Sequence, residues 1–169
     1  MIGVEGVSTA VDPPPPPPMP ESVTIKQMLD TLLEPEIDVA MVAPRTRSSE
    51  WRGLISPLVK DNGLLAAALV ADAAFAHRSA AAMLMEPASE TVDPRIDEMV
   101  LDAAREVLNV ISGALNSRNT PHVKIDGCYQ IPGTLPPSVE ALLSYPLVQR
   151  EYQISIGDYG SGRLTVLNW

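Results

Sequence analysis

The chain has 169 residues and a net charge of −9, with 21 acidic and 12 basic residues. This length accommodates one domain with an ordinary hydrophobic core. The net negative charge argues against nucleic acid as a partner, and no basic cluster in the sequence provides a local exception. A single cysteine, Cys128, cannot form an internal disulfide and fits a reducing compartment. The longest apolar stretch, residues 63–76, is too short to span a membrane, and no secretion signal is evident. We therefore expect a cytoplasmic protein without a membrane segment.

A proline-rich segment opens the chain. Residues 1–22 include six consecutive prolines at positions 13–18 and then Pro20, with almost no large apolar side chains. Such a run favours an extended polyproline II conformation and cannot contribute to a core. We predict a disordered tail over residues 1–22, acting as a spacer or as a ligand for a proline-binding groove, and one folded domain over residues 23–169.

The folded part begins with a helix and a strand. Apolar residues at helical spacing, with Ser22 as a possible cap, predict a helix over residues 23–33 that lies on a sheet. Alternating apolar residues predict a strand over residues 37–43, and residues 44–50 are expected to form a polar turn.

Asn62-Gly63 separates two apolar runs and is a strong hairpin signal, with arms over residues 51–61 and 64–71. The second arm is apolar throughout, which is typical of a central strand covered on both faces. Pro57 in the first arm indicates an edge strand or a bulge because proline lacks a ladder donor.

Asp72 is a suitable cap for a second helix, predicted over residues 73–85 and rich in alanine. His77 and Arg78 are neighbours on this helix and resemble a base beside an anion clamp. No second histidine or carboxylate cluster supports such a site, so we interpret both as ordinary surface residues.

The segment over residues 93–117 carries the best helix pattern in the sequence. Asp93 is expected to cap it, with Pro94 at the first helical position. One stripe forms the expected core face: Ile96, Val100, Ala103, Val107, Val110, Ile111 and Ala114.

The opposite stripe of this helix carries the chemistry. Asp102, Glu106 and Asn109 fall within a sector of about 60°, with Gly113 one turn further on. An isolated pair of this kind usually means only a solvated helix face. A carboxylate beside a carboxamide on a rigid surface can also act together, the acid holding a cation while the amide orients a water molecule.

The remaining residues predict strands around one short helix. We expect a strand over residues 122–131 that contains Cys128, with Pro132 at its end, and a helix over residues 138–143 lying on the sheet as an insertion. Strands over residues 148–156 and 163–169 are expected to form a terminal hairpin. Strands that precede and follow a pair of helices define an α+β sandwich, with antiparallel strands packed against two long helices.

The pattern Asp102-x3-Glu106-x2-Asn109-x22-Pro132 matches the signature D/S-x3-E-x2-N-x22-P of the CheC, CheX and FliY family of chemotaxis phosphatases. A chance match at all four positions is expected on the order of once in several hundred chains of this length. The order of elements over residues 23–169 also resembles a CheX-like domain that carries one copy of the signature.

This resemblance implies a function and residue roles. Proteins of the family dephosphorylate response regulators such as CheY. Asn109 would orient the attacking water, Glu106 would pair with the regulator's lysine, and Asp102 would support the binding surface. The domain would need no cofactor of its own, because the partner regulator holds the Mg²⁺.

The resemblance leaves two functions open. The first is dephosphorylation of a phosphorylated response regulator, and the second is a catalytically silent CheX-fold module for interaction or dimerisation. The family usually has Gly or Ala before the Asn, whereas this chain has Leu108, which either packs internally or hinders docking. The resemblance to CheX implies a homodimer built across strand edges. We expect the terminal hairpin ending at Trp169 to offer such an edge.

Overall fold

The computed structural model describes residues 15–45 and 52–169, which form four α-helices and seven β-strands. The helices are α1 (Ser22–Leu32), α2 (Ala73–Met83), α3 (Glu98–Ser112) and α4 (Pro137–Ser144). The strands are β1 (Ile37–Val42), β2 (Gly53–Lys60), β3 (Leu65–Asp72), β4 (Val123–Ile125), β5 (Tyr129–Ile131), β6 (Val148–Ile156) and β7 (Gly160–Asn168). All strand pairs are antiparallel, in the order β1-β6-β7-β3-β2-β4, and β5 also pairs with β2. The predicted α+β class is confirmed.

The sheet is covered on both faces, as the alternation of β3 shows. Ala67, Leu69 and Ala71 belong to the main core, which includes residues of α1, α2 and α3. Ala68 and Val70, which point the other way, pack with residues of α4. The short helix predicted over the sheet is therefore present, and β3 is the central, doubly covered strand expected from its apolar sequence.

The Asn62-Gly63 hairpin is confirmed, with β2 and β3 paired and Gly63 at a φ of 81°, a value that favours glycine. On the side of β2 away from β3, β5 pairs with Gly53 to Ile55 and β4 pairs with Leu58 to Lys60. Pro57 lies between these two paired stretches. The register with β3 shifts just after Leu58. The bulge predicted from Pro57 therefore lies next to it.

Two helix starts can be compared with their predicted caps. Asp72 caps α2 by accepting a hydrogen bond from the backbone N of Phe75 at 2.8 Å, as predicted. The start predicted for the third helix at Asp93 is wrong, because Asp93 closes a local turn with the backbone N of Arg95. Asp97 is the cap, accepting from the backbone N of Val100 at 2.9 Å, so α3 begins at Glu98. Both aspartates suit a cap, and spacing alone did not separate them.

The strand predicted over residues 122–131 is broken into β4 and β5. Gly127 lies in the break with a φ of 90°, which is not a strand conformation. Cys128 therefore precedes β5 rather than lying within a strand, while Pro132 follows the end of β5 as predicted.

The terminal hairpin is present but lies inside the sheet order rather than at its edge. β7 lies between β6 and β3, and β6 lies between β7 and β1. The expectation that this hairpin lies at an edge of the sheet is therefore wrong, while the homodimer itself stays a prediction. The error arose because the partner strands of β6 and β7 lie far away in sequence. Within the described residues, the outer positions of the sheet belong to β1 and to β4 with β5.

The segment just before α1 is packed against the sheet. Pro17 and Pro20 are buried and Met19 packs against the main core. Asn168 donates to the carbonyl of Pro17 at 3.1 Å, and the Tyr152 hydroxyl donates to the carbonyl of Pro20. We expected residues 1–22 to contribute nothing to the core, and for residues 17–20 this is wrong. Proline has no N–H to satisfy, so the segment is buried once its carbonyls find donors. Residues 1–14 lie outside the described residues.

An ion-pair network holds the chain where it leaves β1. The Glu151 carboxylate is only 2% exposed and accepts from the Arg45 backbone N and Nε, each at 2.7 Å. Arg163 approaches the same carboxylate at 3.6 Å. Arg45 also reaches Asp72 at 3.4 Å, which joins this end of the sheet to the start of α2. The polar turn predicted over residues 44–50 lies mostly outside the described residues.

None of the helices in the described part of the chain is long and apolar enough to cross a membrane.

Candidate functional site

The middle of α3 forms an exposed ridge beside a groove. Asp102, Glu106 and Asn109 are exposed on it, as the helical spacing predicted. They line a groove of about 340 Å³ together with three further residues: Arg105, Ile125 and Gly127. The ridge therefore forms one wall of the groove, and the β4–β5 connection forms the other.

The opposite face of α3 fixes the orientation of the ridge. Leu108 is 0% exposed in the main core, which settles the two possibilities left open for it. Its side chain packs internally and is not an obstacle on the ridge. Most of the predicted core stripe is buried, whereas Val100 and Val110 are only half-buried. Because the buried face of α3 docks on α1, α2 and the sheet, the helix cannot rotate without exposing it.

The second wall of the groove is tied to the end of α3. Asn116 follows the helix and makes two hydrogen bonds to Val123 at the start of β4. Its Nδ2 donates to the Val123 carbonyl at 3.1 Å, and its Oδ1 accepts from the Val123 N at 2.9 Å. These bonds hold β4, and with it Ile125, at a fixed distance from the ridge.

The segment before α3 is tied down as well. Gln130 of β5 donates from Nε2 to the carbonyl of Ile96 at 3.1 Å. His77 Nε2 lies 2.7 Å from the carbonyl of Arg95, and Arg78 donates to the carbonyl of Ser161. His77 and Arg78 are therefore engaged with neighbouring backbone rather than assembled into a site, and α3 is held at both ends.

Two residues grouped with the ridge in the sequence lie away from the groove. Gly113 is exposed at the C-cap of α3, and a Cβ there would meet the terminal methyl of Met28 at 3.3 Å. Gly113 therefore lies beside α1 and not in the groove. Pro132 is exposed and follows the C-terminal end of β5, whereas Gly127 precedes that strand. Pro132 does not line the groove.

The charged groups of the ridge are free to meet a partner. No ion pair within the described ranges engages Asp102, Arg105 or Glu106. The Asn109 carbonyl accepts from the Ser112 hydroxyl at 2.6 Å, but no described group bonds to the Asn109 carboxamide. In residues 15–45 and 52–169, no cluster of three or more His, Cys, Asp or Glu side chains is arranged to hold a metal ion.

The thiol near the groove, Cys128, is partly buried. Burial raises the pKa of the Cys128 thiol above its ordinary value of 9.0, and the nearby Ser56 hydroxyl and Arg105 guanidinium offset only part of that rise. The thiol is therefore neutral near pH 7, whereas the reactive form of cysteine is the thiolate.

Arg105 is the groove residue that the sequence pattern did not single out. It falls outside the D/S-x3-E-x2-N positions, although it lies four residues before Asn109 and thus on the same side of the helix. Ile125 and Gly127 were also missed, because their approach to α3 depends on sheet pairing distant in sequence.

The fold places the chain in a structural class: it has a CheC/CheX/FliY-type fold. Three solved structures illustrate the likeness. The structure of FliY from Thermotoga maritima matches with a TM-score of 0.56 and 15% identity over 85% of this chain and 82% of that one. A chain of the CheX-CheY-BeF3-Mg complex from Borrelia burgdorferi matches with a TM-score of 0.55 and 17% identity over 88% and 98%. A chain of the FliM-SpeE complex from H. pylori matches with a TM-score of 0.62 and 9% identity over 87% and 80%.

Sequence comparisons add nothing to this assignment. No protein-family model matches the chain, and no curated protein matches it. The relationship is therefore one of fold.

Proposed function

We propose that this domain dephosphorylates the aspartyl phosphate of a CheY-type response regulator. Asn109 orients the attacking water and Glu106 pairs with the regulator's lysine, while Asp102 supports the contact surface. The domain supplies no cofactor, and the Mg²⁺ belongs to the partner. The water oxygen forms the new bond to phosphorus as the bond from phosphorus to the aspartate oxygen breaks. The electron pair of the broken bond stays on the aspartate carboxylate. Both protons of the water remain on the phosphate product, which then equilibrates them with solvent.

The observation that carries the proposal is the exposure of Glu106 and Asn109 on one ridge of a helix held at both ends. Phosphoryl transfer requires mainly positioning and charge neutralisation, so one added amide and one added carboxylate can accelerate it. Side chains that project from a fixed ridge suit an acyl phosphate that lies recessed in the partner. A rigid mount also limits the entropy lost when the water is placed.

The likeness to known folds supports the same partner class. One similar chain comes from a complex of CheX with CheY, BeF3 and Mg. For the present chain we propose a partner of the same kind, a response regulator with an acyl phosphate and its own Mg²⁺.

The test is the decay of acyl-phosphorylated response regulators, measured with and without the full chain. Asn109→Ala and Glu106→Gln are compared with exposed controls of matched chemistry, Asn119→Ala and Glu140→Gln. We expect the two ridge variants to lose acceleration by about 10²-fold or more, since a group that acts at the transition state contributes on that scale. Both controls should retain it. Acceleration that is equal in all four variants would reject the assigned roles.

A second function is a binding module that uses this fold without catalysis. The likeness to chains from FliM complexes favours it, because the FliM-SpeE chain gives a TM-score of 0.62. It predicts that the domain binds a regulator or a second copy of itself while phosphate decay is unchanged. Parallel binding and decay measurements on the same variants separate the two functions.

A further inference from the structure

Arg105 is the cation of the groove. It is exposed and lines the groove with the two acids Asp102 and Glu106 and with Asn109. In the described part of the chain its guanidinium has neither an ion-pair nor a hydrogen-bond partner, whereas Arg45 and Arg163 are both paired with the buried Glu151. An arginine with five unengaged donors at the wall of a groove is available for an anionic ligand.

The helix geometry places Arg105 directly beside the amide. At 3.6 residues per turn, Arg105 lies about 40° from Asn109 on one side, and Glu106 lies about 60° from it on the other. Asn109 is therefore flanked by a guanidinium and a carboxylate. Arg105 also lies close enough to Cys128, next to Gly127, for its charge to lower the pKa of that thiol. This interaction places the positive charge near the β4–β5 wall of the groove.

A cation in this groove offsets part of the negative charge of its carboxylates. The chain has a net charge of −9, and the groove brings together two carboxylates with one guanidinium. Beside the partner's own Mg²⁺ and lysine, a guanidinium on this wall adds two parallel hydrogen bonds to phosphoryl oxygens. In phosphoryl transfer an arginine supplied from outside the nucleotide or phosphate site stabilises the charge on the equatorial oxygens at the transition state.

We propose that Arg105 is a further catalytic residue, donating to the non-bridging phosphoryl oxygens of the partner's aspartyl phosphate while Asn109 holds the water. This inference rests on the proposed function, which it extends by a third group. The groove then has three assigned chemical roles: the guanidinium for the phosphoryl charge, the amide for the water and Glu106 for the partner's cation.

The experiment measures kcat and KM for decay of a phosphorylated regulator with the wild-type chain, Arg105→Gln and Arg105→Lys. Arg118→Gln is the matched control, because Arg118 is exposed and lies outside the groove. We expect Arg105→Gln to lower kcat by about 10- to 100-fold with KM changed by less than about threefold, which is the mark of a contact made at the transition state. Arg105→Lys should fall between Arg105→Gln and wild type, because it retains the charge but not the paired donors. Arg118→Gln should match wild type.

Two results would overturn the proposal, and they differ from each other. In the first, Asn109→Ala abolishes activity but Arg105→Gln keeps the wild-type kcat or raises only KM. This result would show that Arg105 takes no part in the chemistry. Failure of the wild-type chain to accelerate decay would reject the proposed function and the role of Arg105 with it. Circular dichroism of each variant confirms that an exposed substitution on α3 has left the helix content intact.

Discussion

Leu108→Ala tests the orientation of α3, on which the exposure of the ridge depends. The Leu108 side chain is 0% exposed, and alanine removes three of its carbons. At about 0.8 kcal/mol for each buried methylene, the lost transfer free energy is about 2.4 kcal/mol. Incomplete collapse of the cavity raises the expected loss of unfolding free energy to about 3–4 kcal/mol. For a chain of this size the melting temperature should fall by roughly 6–16 °C.

Thermal and urea unfolding of Leu108→Ala measure this loss, with Met99→Ala as the control. Met99 is on the same helix but is 59% exposed, so its truncation should change stability by less than about 0.5 kcal/mol. Equal, small effects of both substitutions would refute the burial of Leu108 and return it to the ridge. At a temperature where both variants stay folded, the proposed acceleration of phosphate decay should not rise in Leu108→Ala, because the buried Leu108 is not on the ridge.

Three further predictions concern the sheet and the wall of the groove. Glu151→Gln should lower the unfolding free energy by about 1–3 kcal/mol in urea titrations, since it leaves Arg45 without its charged acceptor, and an unchanged midpoint would contradict the network. Burial raises the pKa of Tyr152 above 10.0, so the folded state favours the neutral phenol; this stabilisation is complete below pH 10.0 and is lost as the pH rises through the folded-state pKa. Unfolding of Tyr152→Phe should consequently depend less on pH above that value, and identical pH profiles would contradict it. Gly127→Ala, at a φ of 90° and with the Tyr129 hydroxyl 3.2 Å from the added Cβ, should destabilise the chain by about 1 kcal/mol or more in the same titration, whereas an unchanged stability would show that the groove wall tolerates a side chain.

The parts of the fold set by local chemistry were predictable. Asn62-Gly63 placed the hairpin, and Asp72 placed the start of α2, because each acts on neighbouring backbone. The start of α3 was misplaced by four residues because Asp93 and Asp97 suit the same capping role. The break at Gly127 was missed although Asp126-Gly127 is a turn signal, because the apolar residues Val123, Ile125 and Tyr129 on either side favoured one continuous strand.

The parts set by distant pairing were not predictable from one sequence. The terminal hairpin was expected at an edge, yet its partners β1 and β3 are far away in the chain. Burial of Pro17 and Pro20 depends on donors from Asn168 and Tyr152, more than a hundred residues later. Composition alone assigned that stretch to a tail.

The candidate site divides in the same way. Exposure of Asp102, Glu106 and Asn109 together follows from helical spacing, so one helix sufficed to predict it. The same spacing also places Arg105 beside Asn109, although Arg105 is not one of the positions of the acid-and-amide signature. The opposite wall could be recognised only after β4 was seen paired to β2 and tied to Asn116.

The central claim is that the Asn109 amide accelerates loss of an aspartyl phosphate. The most direct measurement is a single-turnover decay of a Mg²⁺-bound, phosphorylated response regulator, with the wild-type chain or Asn109→Ala in saturating excess. Saturation removes differences in binding, so the ratio of the two rates reports on the chemical step. We predict that wild type accelerates the decay and that the variant is slower by about 10²-fold or more. Equal rates for the two proteins, or decay no faster than without either, would contradict the account.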